Sequence, residues 1–391
     1  MTDLRVGGVA RASVLVEPRR YEVREFPIPA PPTRGAIVAI SMSGICGTDK
    51  HTFAGWTGQY GGSSAPRTIR FPLIQGHENV GRVLALGGSL TDFDGRALRE
   101  GDRVVVAPNI SCGACWACRH LLPYTLCERT EDYGNTLSAA DPPHLLGGWA
   151  EAMVVLPGSH LFLVPEDLPD EVAVMAELMA VTVGLDRARS WSVVPSEPFL
   201  VDDTVVVYGC GPLGLCHVLK ARMLGAGTIV AIDRSPERLA FARELGADVT
   251  LDVRETTEAD RLRQMRELTG GRGADVVVEA AGVPEVVPLA IDLLRPGGLF
   301  IEVGNFSDGG DVVISPHRHL CSKGIRMMGV AGEEPGAYLP AMRQLARWRR
   351  TMPAIDRFVS DRFPLALAHA AMERSIDPTS RKVVFVPEPP P

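Results

Sequence analysis

Cys46, His77 and Glu78 stand in two short phrases, Gly44-Ile-Cys-Gly-Thr-Asp49 and Gly76-His-Glu78. A soft thiolate and an imidazole on separate loops suit a zinc ion. A zinc site that does chemistry needs a third protein ligand and one open position, where the ion lowers the pKa of a bound hydroxyl. A glycine fingerprint follows much later, Gly209-Cys-Gly211-Pro212-Leu213-Gly214. A Lewis acid followed by a dinucleotide clamp supplies the two parts needed to move a hydride off an alcohol carbon.

The fingerprint has the right context. Thr204–Tyr208 is a continuous apolar run that ends in Gly209, and a helical pattern opens at Pro212. Gly209 would allow the tight turn, Gly211 would let backbone approach a pyrophosphate, and Gly214 would let helix and strand pack closely, with Pro212 and Leu213 in the first helical turn. The helix N-terminus would then offer N–H groups to the phosphates. Asp233 lies nineteen residues beyond Gly214, at the end of the next strand. A carboxylate there accepts hydrogen bonds from ribose hydroxyls and repels a 2′-phosphate, which predicts NAD over NADP. Arg234 and Arg238 are its basic neighbours, and Arg234 is the residue that would accommodate a phosphate. The competing reading makes Asp233 the cap of the helix that begins near Pro236.

Cys112, Cys115, Cys118 and Cys127 form a knot within one loop. Four thiolates close a tetrahedral shell and leave no open position, so this would be a structural zinc. An unoccupied thiol cluster, or His120 in place of one cysteine, are the alternatives. Cys210, Cys216 and Cys321 have no metal spacing and are expected to pack.

The 391 residues are too many for one core and imply two or three domains. The formal charge of −7 comes with no basic stripe, which argues against nucleic acid as a partner. No apolar stretch approaches the ~18 residues of a membrane span, and Met1–Arg20 has no leader-like apolar region. The expectation is a cytoplasmic protein with no membrane partner. Only Lys50, Lys220, Lys323 and Lys382 are lysines among forty basic residues, a bias that points to genome composition, not function.

These groups need elements to hold them. Ala36–Ile40, Val80–Ala85 and Arg103–Ala107 read as short strands in a β-rich first part. Helical spacing over Glu177–Arg189 marks a change. Strand and helix then alternate: Thr204–Tyr208, Pro212–Leu224, Thr228–Ile232, Pro236–Leu245, Ala274–Glu279, Val286–Leu294 and Leu299–Val303. That alternation predicts an α/β, doubly wound parallel sheet. The closing strand Lys382–Val386 is expected to return to the first domain, and 387–391 to fray. A Gly/Ser-rich insert between His51 and Gly76, with Trp56 and Tyr60, would line a cleft or decorate the surface. Trp116, Tyr133, His144 and Trp149 are further rim candidates.

Taken together, Cys46, His77, the cysteine knot, Ala176-Glu177-Leu-Met-Ala-Val181, the Gly209 fingerprint and Asp233 resemble the zinc-dependent medium-chain dehydrogenase/reductase family over nearly the whole chain. The resemblance implies a GroES-like β domain (1–182, with a zinc lobe at about 109–130), a Rossmann domain (183–337) and a C-terminal segment (338–391) that rejoins the first. It implies two zinc ions per chain, a small alcohol or carbonyl substrate, and a homodimer or homotetramer. In the similar polyol branch a Glu at the position of Glu177 ligates zinc. Here Leu178 replaces a proline of that phrase, and Glu78 is the rival ligand. Thr48 and His51 match the family positions that carry away the hydroxyl proton, and Asp49 would orient a ligand. In the similar zinc lobe the fourth cysteine falls one residue earlier, where this chain has Leu126. The expected activity is oxidation of a secondary alcohol of a polyol, sugar or cyclitol. The alternatives are an alkene or iminium reductase of the same family, or a non-catalytic nucleotide- and zinc-binding protein.

Overall fold

A computed structural model describes residues 4–59, 67–188 and 202–387. The chain forms two compact units: Met1–Glu177 with Glu334–Arg347 and Asp356–Pro391, and Leu178–Glu333 with Trp348–Ile355. The division falls a few residues before the positions read from sequence, and the short piece Trp348–Ile355 goes with the second unit.

The hub of the first unit is the strand Ala36–Gly44. It runs antiparallel to Glu78–Leu86 along its length, to Ala152–Val155 through residues 36–39, and to Lys382–Phe385 at Ser43 and Gly44. Arg103–Val106 and Leu161–Leu163 extend the sheet on one side, and Val359–Phe363 lies parallel to Lys382–Phe385 on the other. Both inner strands run further than the apolar pattern implied. Most of the added residues, Ser41, Ser43, Gly44, Glu78 and Asn79, are polar or small, and Ser43 Oγ bonds Asn79 Oδ1 across the pair at 2.7 Å. The core beneath holds Trp149, Tyr133 and Phe385, all fully buried. Trp149 and Tyr133 are therefore core residues, not a pocket rim.

The second unit is a six-stranded parallel sheet. Across it the strands run Val249–Asp252, Thr228–Asp233, Thr204–Tyr208, Ala274–Glu279, Leu294–Glu302 and Arg326–Gly329, so the first strand in sequence lies at the centre. The central strands are buried at every position, as strands covered on both faces must be. Val249–Asp252, Arg326–Gly329 and the helix Glu258–Leu268 escape the sequence reading. The helix buries only Arg261 and Met265, too thin a stripe to register as periodic.

The lysines follow a rule of their own. Lys50 Nζ donates to Ser375 O, Lys220 pairs with Asp186, Lys323 Nζ caps three carbonyls at the end of the helix Val286–Asp292, and Lys382 pairs with Glu78. Each ammonium donates to carbonyl or carboxylate oxygen as a compact point charge. Among the described residues no helix is long and apolar enough to cross a membrane.

Candidate active site

The register of one strand pair builds the site. Gly44 is the cross-strand partner of Glu78. That pairing brings the residue before Ile45-Cys46 against the residue after His77, although the two phrases lie thirty residues apart in sequence. A thiol, an imidazole and a carboxylate, from Cys46, His77 and Glu78, then lie within 4.8 Å of one another. Gly76 sits at φ +95°, and a Cβ there would come 2.3 Å from Trp149 Cδ1, so only glycine lets the chain turn into His77 against that ring.

The helix Gly47–Phe53 carries Thr48, Asp49 and His51. Thr48 Oγ1 is 3.4 Å from His77 Nε2, and Asp49 Oδ1 is 3.8 Å from His77 Nδ1. Asp49 is wholly buried. Its Oδ2 accepts the Cys46 backbone N–H at 2.8 Å, and Gln75 Nε2 donates to its carbonyl at 3.0 Å. Burial pushes the Asp49 carboxyl up, against the pull of His77. Burial works against a charged His77 ring, yet Asp49, then Cys46 and Glu177, outweigh it and lift the ring well above its ordinary value. The site is thus electronegative, and His77 Nδ1 has no hydrogen-bond partner among the described residues. A soft sulfur, a ring nitrogen and a carboxylate in a buried, cation-seeking setting fit a divalent zinc ion.

Glu177 is buried at the start of the short helix Ala176–Val181. It bears electrostatically on His77 but stands outside the 4.8 Å group. The expected helix Glu177–Arg189 is two pieces, Ala176–Val181 and Val183–Arg187, parted at Thr182, whose hydroxyl bonds back to Met179 O at 2.7 Å. His51 stacks on Trp56 with centroids 4.9 Å apart, and the indole is 49 % exposed. Tyr60 and residues 61–66 of the glycine-rich insert lie outside the described residues. Sequence reasoning missed Lys382, which is wholly buried, pairs with Glu78 and donates to Ile45 O at 3.0 Å. The one available signal was a lysine opening the apolar run Lys382-Val-Val-Phe385.

In the second unit, Gly209 lies at φ +96°, and a Cβ on Gly214 would fall 1.8 Å from Gly209 O. A Cβ on Gly211 would meet nothing, so the backbone there borders open space. Pro212 begins the helix Pro212–Met223, and Leu213 O accepts from His217 Nδ1. Asp233 ends its strand. One oxygen accepts the Cys210 N–H at 2.6 Å and the other the Ser235 N–H at 2.8 Å. The cap of the following helix is Ser235, which accepts Arg238 N at 3.2 Å. Arg234 is exposed and Arg238 half-buried.

The four knot thiols also gather within 4.8 Å. Cys115 Sγ is 3.4 Å from Cys118 Sγ and 3.8 Å from Cys127 Sγ, close to the ~3.8 Å spacing that a tetrahedral zinc with ~2.3 Å bonds imposes. Backbone N–H groups of Cys112, Ala114 and Arg129 point at these sulfurs, as they do around thiolates. His120 turns away to Trp116, stacking on its ring and approaching its carbonyl. The extra residue before Cys127 is taken up by the turn Tyr124–Leu126, with Leu126 exposed.

A dinucleotide-type parallel sheet, joined in one chain to a β unit with thiol–imidazole–carboxylate chemistry, defines a metal-dependent oxidoreductase class. Comparison with known proteins gives the family. Residues 33–166 match the alcohol dehydrogenase GroES-like domain and residues 212–347 the zinc-binding dehydrogenase domain. The chain is 36 % identical to 5-exo-hydroxycamphor dehydrogenase of Pseudomonas putida, over 93 % of this chain and 95 % of that one. It is 31 % identical to sorbitol dehydrogenase of Bacillus subtilis over 75 % and 74 %. A crystal structure of an alcohol dehydrogenase from Thermotoga maritima superposes with a TM-score of 0.86 at 30 % identity, covering 98 % of this chain and all of that one. The chain belongs to the zinc-dependent medium-chain alcohol dehydrogenase family, and it is an oxidoreductase of alcohols.

Proposed function

We propose that the protein transfers a hydride between a secondary alcohol and NAD with the help of one zinc ion, while a second zinc ties the cysteine lobe. The carrying observation is the Gly44–Glu78 pairing that gathers Cys46, His77 and Glu78. When bound, zinc polarises the substrate hydroxyl and the nicotinamide accepts the hydride.

The chain's own groups do the rest. Cys46 and His77 hold the metal, with Glu78 or Glu177 as the third ligand. Asp49 fixes the Cys46 backbone and stands behind His77, as the partner of a metal-bound imidazole does. Thr48 lies beside His77, takes up the hydroxyl proton by hydrogen bonding, and passes it to His51 one turn along the helix. Gly209, Gly211 and Gly214 open the helix N-terminus to a pyrophosphate. Asp233 presents a carboxylate, already fixed by two backbone bonds, to ribose hydroxyls. Cys112, Cys115, Cys118 and Cys127 hold the second zinc.

The relatives are named for 5-exo-hydroxycamphor and for sorbitol. A secondary alcohol is what the two have in common, and the half-exposed Trp56 beside His51 offers an apolar surface to its carbon frame. We take the enzyme to be a cytoplasmic homodimer or homotetramer. The test is zinc content together with a panel of cyclitols, alicyclic alcohols and open-chain polyols, followed by reduced-nicotinamide absorbance with NAD and with NADP. Two zinc ions and NAD-linked turnover are expected. Full turnover by Cys46→Ser without its site metal would overturn the reading. Activity confined to conjugated alkenes, indifferent to Thr48→Val, would favour the reductase alternative.

A further inference from the structure

Lys382 and Glu78 are both wholly buried, and they form an ion pair that the mechanism above leaves unused. The lysine opens the last strand and enters the site from the far end of the chain, its ammonium also donating to Ile45 O, next to Cys46. The fold makes room for this pair. A Cβ on Gly44 would fall 1.8 Å from Glu78 Oε2 and 2.8 Å from Lys382 Cε. Cys46, Asp49, Glu78 and Glu177 surround His77 with acidic groups, and Lys382 is the ammonium that answers them. It engages Glu78 at Oε2, while Oε1 has no hydrogen-bond partner among the described residues.

Resting on the reading that Cys46 and His77 hold zinc, we infer that Lys382 is a positioning residue that tethers Glu78 and so sets how strongly this carboxylate binds the metal. With its charge shared by the ammonium, Glu78 is a weak, auxiliary ligand. Without the ammonium, Glu78 is an uncompensated buried anion, and the metal becomes the only group that can satisfy it. Metal affinity at this site is therefore held below what its ligands allow.

The experiment measures zinc release to a competing chelator from the full-length holoprotein. The phase belonging to this site is the one missing in Cys46→Ser. Lys382→Met is expected to hold this zinc roughly tenfold or more tighter, to lower the melting temperature of the metal-free protein more than that of the loaded one, and to alter the visible bands of the cobalt-substituted protein. Lys382→Arg should restore near-native zinc affinity. In Glu78→Gln/Lys382→Met the tightening should vanish. Unchanged or weaker zinc binding in Lys382→Met, or tightening that persists without Glu78, would overturn the inference. Should Lys382→Met not fold, Glu78→Gln alone decides. A loss of affinity under roughly tenfold fits a tethered carboxylate, and a loss beyond roughly a hundredfold marks a full ligand and refutes the tether. Failure of the underlying functional reading looks different, since the wild-type protein would then release only the zinc of the four-thiol knot.

Discussion

Burial and the adjacent Lys50 ammonium push the His51 imidazole below its ordinary value. A ring with a lowered pKa stays neutral, and able to accept a proton, as pH falls through the usual imidazole range. Alcohol oxidation should therefore hold through that range and decline only below it. His51→Gln should remove this acid limb from the pH–rate profile and slow oxidation by on the order of 10²-fold. An unchanged limb would place the proton route elsewhere. His217 carries a different consequence. It is wholly buried in the helix Pro212–Met223 with Nδ1 bonded to Leu213 O, and burial lowers it to about 4. The unfolded chain takes up this proton below about 6.5 while the folded chain resists until about 4, so stability is lost as pH falls through that window. The loss amounts to about 3 kcal/mol at most. Denaturant titrations from pH 7 to pH 4 should show it, and His217→Leu should flatten it. The types of Cys46, His77 and Asp233 were legible in sequence because their chemistry is local. The environments of His51 and His217 were not, because burial is set by distant packing.

The Gly209 turn shows how much an element depends on one missing methyl. A Cβ at Gly214 would press on Gly209 O, so Gly214→Ala must displace the helix whose N-terminus is proposed to meet the dinucleotide. Expected are a stability loss of about 1–3 kcal/mol and at least roughly tenfold weaker NAD binding, read by calorimetry and nucleotide fluorescence titration. Unaltered NAD affinity would mean that this helix end does not contact the coenzyme. The parallel strands of the second unit were readable because burial on both faces leaves uninterrupted runs such as Thr204-Val-Val-Val-Tyr208. Val249–Asp252 and Arg326–Gly329 were not. They are short flanking strands at the two edges of the sheet, where burial is incomplete and polar side chains interrupt the pattern. That Cys127 would join the other three thiols was readable for another reason. A loop absorbs one residue by pushing Leu126 into solvent, and the thiols still converge.

Across the whole molecule, the segment after the parallel sheet goes back to the β unit and seats Lys382–Phe385 between Ala36–Gly44 and Val359–Phe363. That this strand returns was foreseeable from its apolar run. What it delivers was not, because Lys382 meets Ile45 across 337 positions of sequence, a distance over which no spacing rule operates. A chain ending at 377 loses that strand, the buried Phe385 and the Glu78 tether together. In calorimetry it should lose the cooperative melting transition of the β unit while the parallel-sheet unit, whose residues all precede position 377, still melts, and a native-like profile would show the strand to be dispensable.

The final strand also imposes an order of events during synthesis. Cys46, His77 and Glu78 leave the ribosome early, but the cation that answers them is among the last residues to emerge. The nascent β unit must wait, its reactive thiol and carboxylates uncompensated, while the intervening unit is translated and free to fold. A prematurely terminated chain therefore never receives the ammonium that answers its first cluster of ligands.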